Sequence, residues 1–205
     1  MQNIKYFTRQ TKQIFTMKVV IDTNSLLSLV RYYLPFDKKG VLFEFFKKKI
    51  EIGEIIIIDR VLQECTYNSK GIVIKTLNYL TDKAFLEVSK VPFKTDNLIV
   101  PNTKQFFNQL SSVFVNGIIR KKLTEVEFES QKDLFLGNAD MKQIILALTL
   151  KQNGVKVVLV TEETEGSNDN KLFKKIPAIC KELEIETMTL PELLAKFDGI
   201  DIDFL

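Results

Sequence analysis

Met17-Lys18-Val19-Val20-Ile21-Asp22-Thr23-Asn24-Ser25 joins three signals in one short stretch: a β-branched apolar run, an acid at its end, and polar capping residues. Leu26, Leu27, Leu29 and Val30 follow at helical spacing, so the segment predicts strand, polar turn and helix. The same unit recurs downstream. A helix is predicted over about Lys39 to Lys49, with Val41, Leu42, Phe45 and Phe46 inward, and Gly53 leads to Ile55-Ile56-Ile57-Ile58. That wholly apolar run predicts a strand buried on both faces. Asp59 then predicts the cap of a helix carrying Val61, Leu62 and Cys65, with Glu64 on its second turn.

Residues 70 to 136 break the rhythm. Helical patches over Val73 to Asp82, Lys104 to Val115 and Glu125 to Phe135 are interrupted by Pro92, Pro101 and Gly117, and predict a helical insertion. The alternation resumes at Gly137-Asn138-Ala139-Asp140, where Asn138 is placed to cap a helix with Ile144, Ile145 and Leu148 inward, ending at Asn153-Gly154. Val155 to Val160 predicts a strand ending in Thr161-Glu162-Glu163. A short helix after Ile176-Pro177, a strand near Ile185 to Met188 and a helix near Pro191 to Phe197 complete the pattern. Such alternation implies a mostly parallel sheet covered by helices, with ligands beyond the carboxyl ends of the strands.

Composition narrows the chemistry. The 205 residues contain no histidine and only two cysteines, Cys65 and Cys180, which excludes Ser-His-Asp triads, histidine zinc sites and cysteine cages. The net charge of +3 permits nucleic-acid binding without announcing it. No apolar run reaches membrane-spanning length and no signal-peptide apolar region opens the chain, so the expectation is a cytoplasmic protein. Residues 1–16 read as an N-terminal arm, or as an upstream extension should translation start at Met17. Residues 17–205 read as a single domain with the insertion at about 70–136.

Position then separates four acids from the rest: Asp22 ends the first strand, Glu64 lies a turn into the helix after the second, Asp140 opens a helix, and Glu163 follows a later strand. Each also has an ordinary reading. Asp22 sits where helix caps sit, Glu64 reads equally as a solvated surface residue, and Asp140 complements a helix dipole. As a set they suit Mg²⁺ or Mn²⁺, hard cations that take carboxylate oxygens and relieve the repulsion among them. Two such ions about 3.5–4 Å apart promote phosphodiester hydrolysis without histidine or cysteine. Asn24 and Thr161 are candidates for orienting these groups, and Glu162 and Asp169 read as loop acids.

The segment Met17–Asn24 resembles the opening of PIN-domain nucleases, whose first strand ends in the same acid-x-Asn/Ser pattern. Glu64 matches that family's helix glutamate, Asn138-Ala139-Asp140-Met141-Lys142-Gln143-Ile144-Ile145-Leu146-Ala147 its acid-then-helix motif, and Thr161-Glu162-Glu163 its Thr-x-acid. The resemblance implies an α/β/α sandwich and metal-dependent RNA cleavage with Asp22, Glu64, Asp140 and Glu163 as catalytic metal ligands. It also implies frequent pairing of toxin with antitoxin, and dimerisation. The family usually has Asp where Glu163 stands, so either the longer glutamate reaches the ion or Asp169 takes part. Lys175-Ile176-Pro177-Ala178-Ile179-Cys180 resembles a subgroup with an Ile-Pro-x-x-Cys stretch, which favours Glu163.

Candidate RNA contacts are Lys47-Lys48-Lys49, Arg120-Lys121-Lys122, Arg31, Tyr32 and Tyr33, although charge runs usually mark solvated helix faces. A haloacid-dehalogenase reading requires a second aspartate where Asn24 stands, and a nucleotide hydrolase requires a Gly-rich loop the chain lacks. The competing expectation is a PIN-like module with a weakened metal site that binds RNA or protein without cutting.

Overall fold

Val19, Val20 and Ile21 have no exposed surface, which is why the opening apolar run forms the central strand β1 (Lys18–Ile21). The computed structural model describes residues 17–164 and 171–197. Asp22 leaves β1 in extended conformation and caps α1 (Thr23–Ser28), which passes into a π-helical turn at Leu29–Tyr33 and a 3₁₀ turn at Leu34–Phe36. Then come α2 (Val41–Glu51), β2 (Ile55–Ile56) and α3 (Asp59–Tyr67). The middle of the chain forms α4 (Ile72–Thr76), α5 (Lys83–Ser89), α6 (Thr103–Ser112), α7 (Gly117–Arg120) and α8 (Glu125–Gly137). The alternation returns with α9 (Ala139–Gln152), β3 (Val157–Val160), α10 (Ile176–Glu182), β4 (Glu186–Met188) and α11 (Leu190–Lys196).

The described strands form one sheet in the order β2-β1-β3-β4, all parallel and flanked by helices, a three-layer α/β/α sandwich. β1 lies in register with β3 from Lys18 opposite Val157 to Ile21 opposite Val160. From β1 the chain moves outward to β2 on one side, and later to β3 and β4 on the other. The order therefore reverses between β1 and β3, and in open parallel sheets a crevice opens beyond the carboxyl ends of the strands at such a point. α9 packs on β1 and β3, α2 on β2, and α10 on β4. No described helix is long and apolar enough to cross a membrane.

Several local expectations require correction. The Ile55–Ile58 run pairs with β1 only through Ile55 and Ile56. Beyond them the backbone turns to the insertion instead: Phe93 N–H donates to the Ile57 carbonyl at 2.9 Å, Asp59 N–H donates to the Phe93 carbonyl at 3.0 Å, and Ile58 bridges Phe93 in parallel. Asp59 is not the cap of α3, a place taken by Ile58. As the first helical residue, its carboxylate accepts from Arg60 N–H at 2.9 Å, Thr95 N–H at 3.1 Å and the Thr95 hydroxyl at 2.6 Å. Val41, expected inward, opens α2 after a left-handed Gly40 and is 40% exposed. Gly117 begins α7, where Asn116 caps the Ile118 N–H at 3.1 Å.

α9 is buried more widely than its three expected inward residues, with Met141, Leu146 and Ala147 also covered, because α8 and α10 close the side away from the sheet. The insertion feeds the same core. Val73, Leu77, Leu80, Phe106, Leu110 and Phe114 join one apolar cluster with Val19 to Ile21 and Val158 to Val160. Each such buried side chain contributes about 1.5–3 kcal/mol relative to leaving it in water.

Candidate functional site

Asp22 and Thr161 occupy the first positions past β1 and β3, the two strands flanking the reversal of sheet order. Backbone pairing holds both there: Asp22 N–H donates to the Val160 carbonyl at 2.9 Å, and Thr161 N–H to the Met188 carbonyl at 3.0 Å. Asp22 is only 3% exposed. Its Oδ1 accepts from Thr23 N–H at 2.7 Å and from Gln143 Nε2 at 3.1 Å, while its Oδ2 receives the Thr161 hydroxyl at a longer 3.3 Å. Burial pushes its carboxyl above the usual range, the Gln143 and Thr23 donors pull it down, and the charges of Glu163 and Glu64 push it up again.

Asp140 comes to the same place from α9. Asn138 caps that helix through Met141 N–H at 2.9 Å and leaves Asp140 in the first turn. Its carboxyl is pushed up to about 7, first by burial, then by Asp22, Glu163 and Glu64, with Lys171 opposing. Glu64, half-buried on α3, accepts the Thr23 hydroxyl at 2.5 Å through Oε2. The Glu163 N–H donates to the Thr161 hydroxyl oxygen at 3.2 Å, and its Oε2 accepts the Ile176 N–H at 3.2 Å where α10 begins. Thr161 thus links Asp22 to Glu163. The structure brings the four acids into one another's electrostatic field, while Asn24 lies exposed on α1 and Asp169 falls outside the described residues.

As the side chains are oriented, no three acidic or thiol groups among the described residues stand close enough to ligate one ion. The donor chemistry nonetheless fits a hard divalent cation: oxygen donors only, and carboxylates whose mutual repulsion a cation relieves. A further observation points the same way. Gln143 has no exposed surface, and its Oε1 has no hydrogen-bond partner, beside the carboxylate that its Nε2 holds. Buried carbonyl oxygens are rarely left without a polar neighbour.

Gln143 and Thr23 are residues that the sequence reading missed. Gln143 lies three residues past Asp140, one helical turn along the same face, and directly precedes the apolar run Ile144-Ile145-Leu146-Ala147-Leu148. That spacing was the available signal. Glu162, expected as a loop acid, ties elements together: its Oε1 accepts the Ser25 hydroxyl at 3.1 Å and the Leu190 N–H at 2.9 Å. The Cys65 thiol is pushed up to about 12 by burial and then by Glu64 and Asp22, so it stays protonated and is no nucleophile.

Several members of the basic runs have partners within the chain. Arg120 pairs with Glu125 and lies 4.0 Å over the Phe128 ring. Lys49 pairs with Glu54 and sits over Phe45 and Phe197, and Lys48 meets Glu51 at 3.0 Å. Arg31 donates to the Ser69 hydroxyl, Tyr33 is half-buried near Glu162, and Tyr32 stands 64% exposed.

Fold and site together define an α/β/α protein with a group of four acids at the point where the order of its parallel sheet reverses. Residues 19–198 match the family described as Domain of unknown function (DUF4411), and the chain belongs to that family. No curated protein and no solved structure matches the chain.

Proposed function

We propose that this chain is a Mg²⁺- or Mn²⁺-dependent ribonuclease that hydrolyses RNA phosphodiester bonds at the acidic crevice. The observation that carries the reading is the placement of Asp22, Glu64, Asp140 and Glu163 within one field at the strand-order reversal, where burial and then the other three acids push Asp140 up to about 7. Asp22, Asp140, Glu64 and Glu163 are the residues that would hold the cation, and it would supply Lewis acidity and charge neutralisation for a phosphodiester. The chain's own part is to bury Asp22, to orient it by three donors, and to keep Glu64 and Glu163 tethered by Thr23 and Ile176 at the crevice. The resemblance of Met17–Asn24, Asn138–Ala147 and Thr161–Glu163 to PIN-domain nucleases supports RNA as substrate. It extends the proposal to a cytoplasmic toxin whose antitoxin covers the crevice.

The test is cleavage of single-stranded RNA by the purified protein with Mn²⁺. Cleavage abolished by EDTA and lost in Asp22→Asn and Asp140→Asn is expected; cleavage that persists in both variants with EDTA present sinks the mechanism. A second reading has its own observations, since Glu163 Oε2 is engaged by the Ile176 N–H and Glu64 Oε2 by the Thr23 hydroxyl. Those facts favour a non-cutting module that binds RNA or protein, for which wild type shows no Mn²⁺-dependent cleavage and Asp22→Asn leaves binding unchanged.

A further inference from the structure

Asp22 is asymmetrically satisfied. Its Oδ1 takes two N–H donors, Thr23 at 2.7 Å and Gln143 at 3.1 Å, whereas its Oδ2 has only the long 3.3 Å contact from the Thr161 hydroxyl. The Thr23 donor comes from the next residue in the chain, and the Thr161 hydroxyl approaches the other carboxylate oxygen. Gln143 supplies the remaining constraint. It reaches Asp22 from α9, 121 residues along the chain, and does so from a site with no exposed surface. An amide there, in a helix otherwise lined by Ile144, Ile145, Leu146 and Ala147, costs desolvation that one hydrogen bond only partly offsets. Its Oε1 remains without a partner.

We propose that Gln143 is the positioning residue of the candidate site: its amide holds Asp22 Oδ1 so that Oδ2 is the oxygen offered to a divalent cation. The proposal rests on the metal-dependent reading of the crevice. The buried amide turns its nitrogen toward the acid, since the reverse would set two oxygens against each other. α9 thereby carries two functions one turn apart, a carboxylate from Asp140 and the orientation of Asp22 from Gln143.

Gln143→Met preserves length and volume while removing both donor and acceptor, and Gln143→Glu preserves shape while replacing the donor by a second acid beside Asp22. Mn²⁺ binding by the whole protein, measured by calorimetry with thermal melts in EDTA alongside, separates the outcomes. Expected is a loss of affinity of roughly 10- to 100-fold in Gln143→Met, the usual consequence of removing a group that orients a metal ligand, with the folding transition in EDTA retained. Gln143→Glu is expected to lose the donor as well, and so to bind more weakly than wild type. Wild-type affinity in Gln143→Met overturns the positioning role and leaves the metal site standing. If Gln143→Met does not fold, wild-type affinity in Gln143→Glu overturns it instead. Absence of Mn²⁺ binding by the wild type overturns both the metal reading and this inference.

Discussion

Burial, and then the field of Asp22, Glu163 and Glu64, hold Asp140 toward its protonated form, so ionising it works against the fold. The sign follows from the direction of the shift. The unfolded carboxyl titrates near 3.8 and the folded one at about 7, so the folded state binds the proton more tightly. Stability from this group is complete below the lower value and is lost as pH rises toward the upper one. Without divalent cations, the wild type is therefore expected to be less stable at about pH 8 than at about pH 5, and Asp140→Asn to flatten that slope. The variant should gain roughly 1–3 kcal/mol over wild type at the higher pH in urea melts with EDTA. Equal slopes for the two proteins would refute this account of the crevice.

At the scale of elements, α9 depends on its first turn. Asn138 caps it through Met141 N–H, and Asn138→Ala is expected to cost about 1 kcal/mol in chemical denaturation. The junction of α3 with the insertion hangs on Asp59, which accepts two bonds from Thr95. Asp59→Ala leaves the buried Thr95 hydroxyl and N–H unsatisfied, a loss of about 1–3 kcal/mol, and amide exchange at Thr95 should rise well before exchange in β1. Unchanged protection at Thr95 would show that the segment is held by Phe93 alone. β1, β3 and α9 were legible because their signals are local: short apolar runs, a capping Asn and a Gly154 stop at φ +76°. β2 was overextended because the partner that takes over at Ile57 and Ile58 is Phe93, many residues away.

Across the whole molecule, the insertion and the sheet share one core. Phe106 on α6 is 2% exposed and packs edge-to-face against Phe114, with ring centroids 5.8 Å apart, in the cluster that also holds Val19 and Val158. Phe106→Ala is expected to cost about 3–5 kcal/mol. Because the core is continuous, probes on β3 and on α6 should lose structure in a single transition; separate transitions would mean that the insertion unfolds on its own.

Local pattern by itself determined the α/β alternation, the strand ends that carry Asp22 and Glu163, and the helix start that carries Asp140, since caps, periodicity and β-branched runs act within a few residues. It could rank these acids only by position. Tertiary structure alone decided the strand order β2-β1-β3-β4, the meeting of acids from four separate segments, and the partner of Asp22 on α9. The physical reason is range. The bonds to Asp22 come from Gln143 and Thr161, 121 and 139 positions away, burial and carboxylate repulsion likewise join distant residues, and no local signal encodes them.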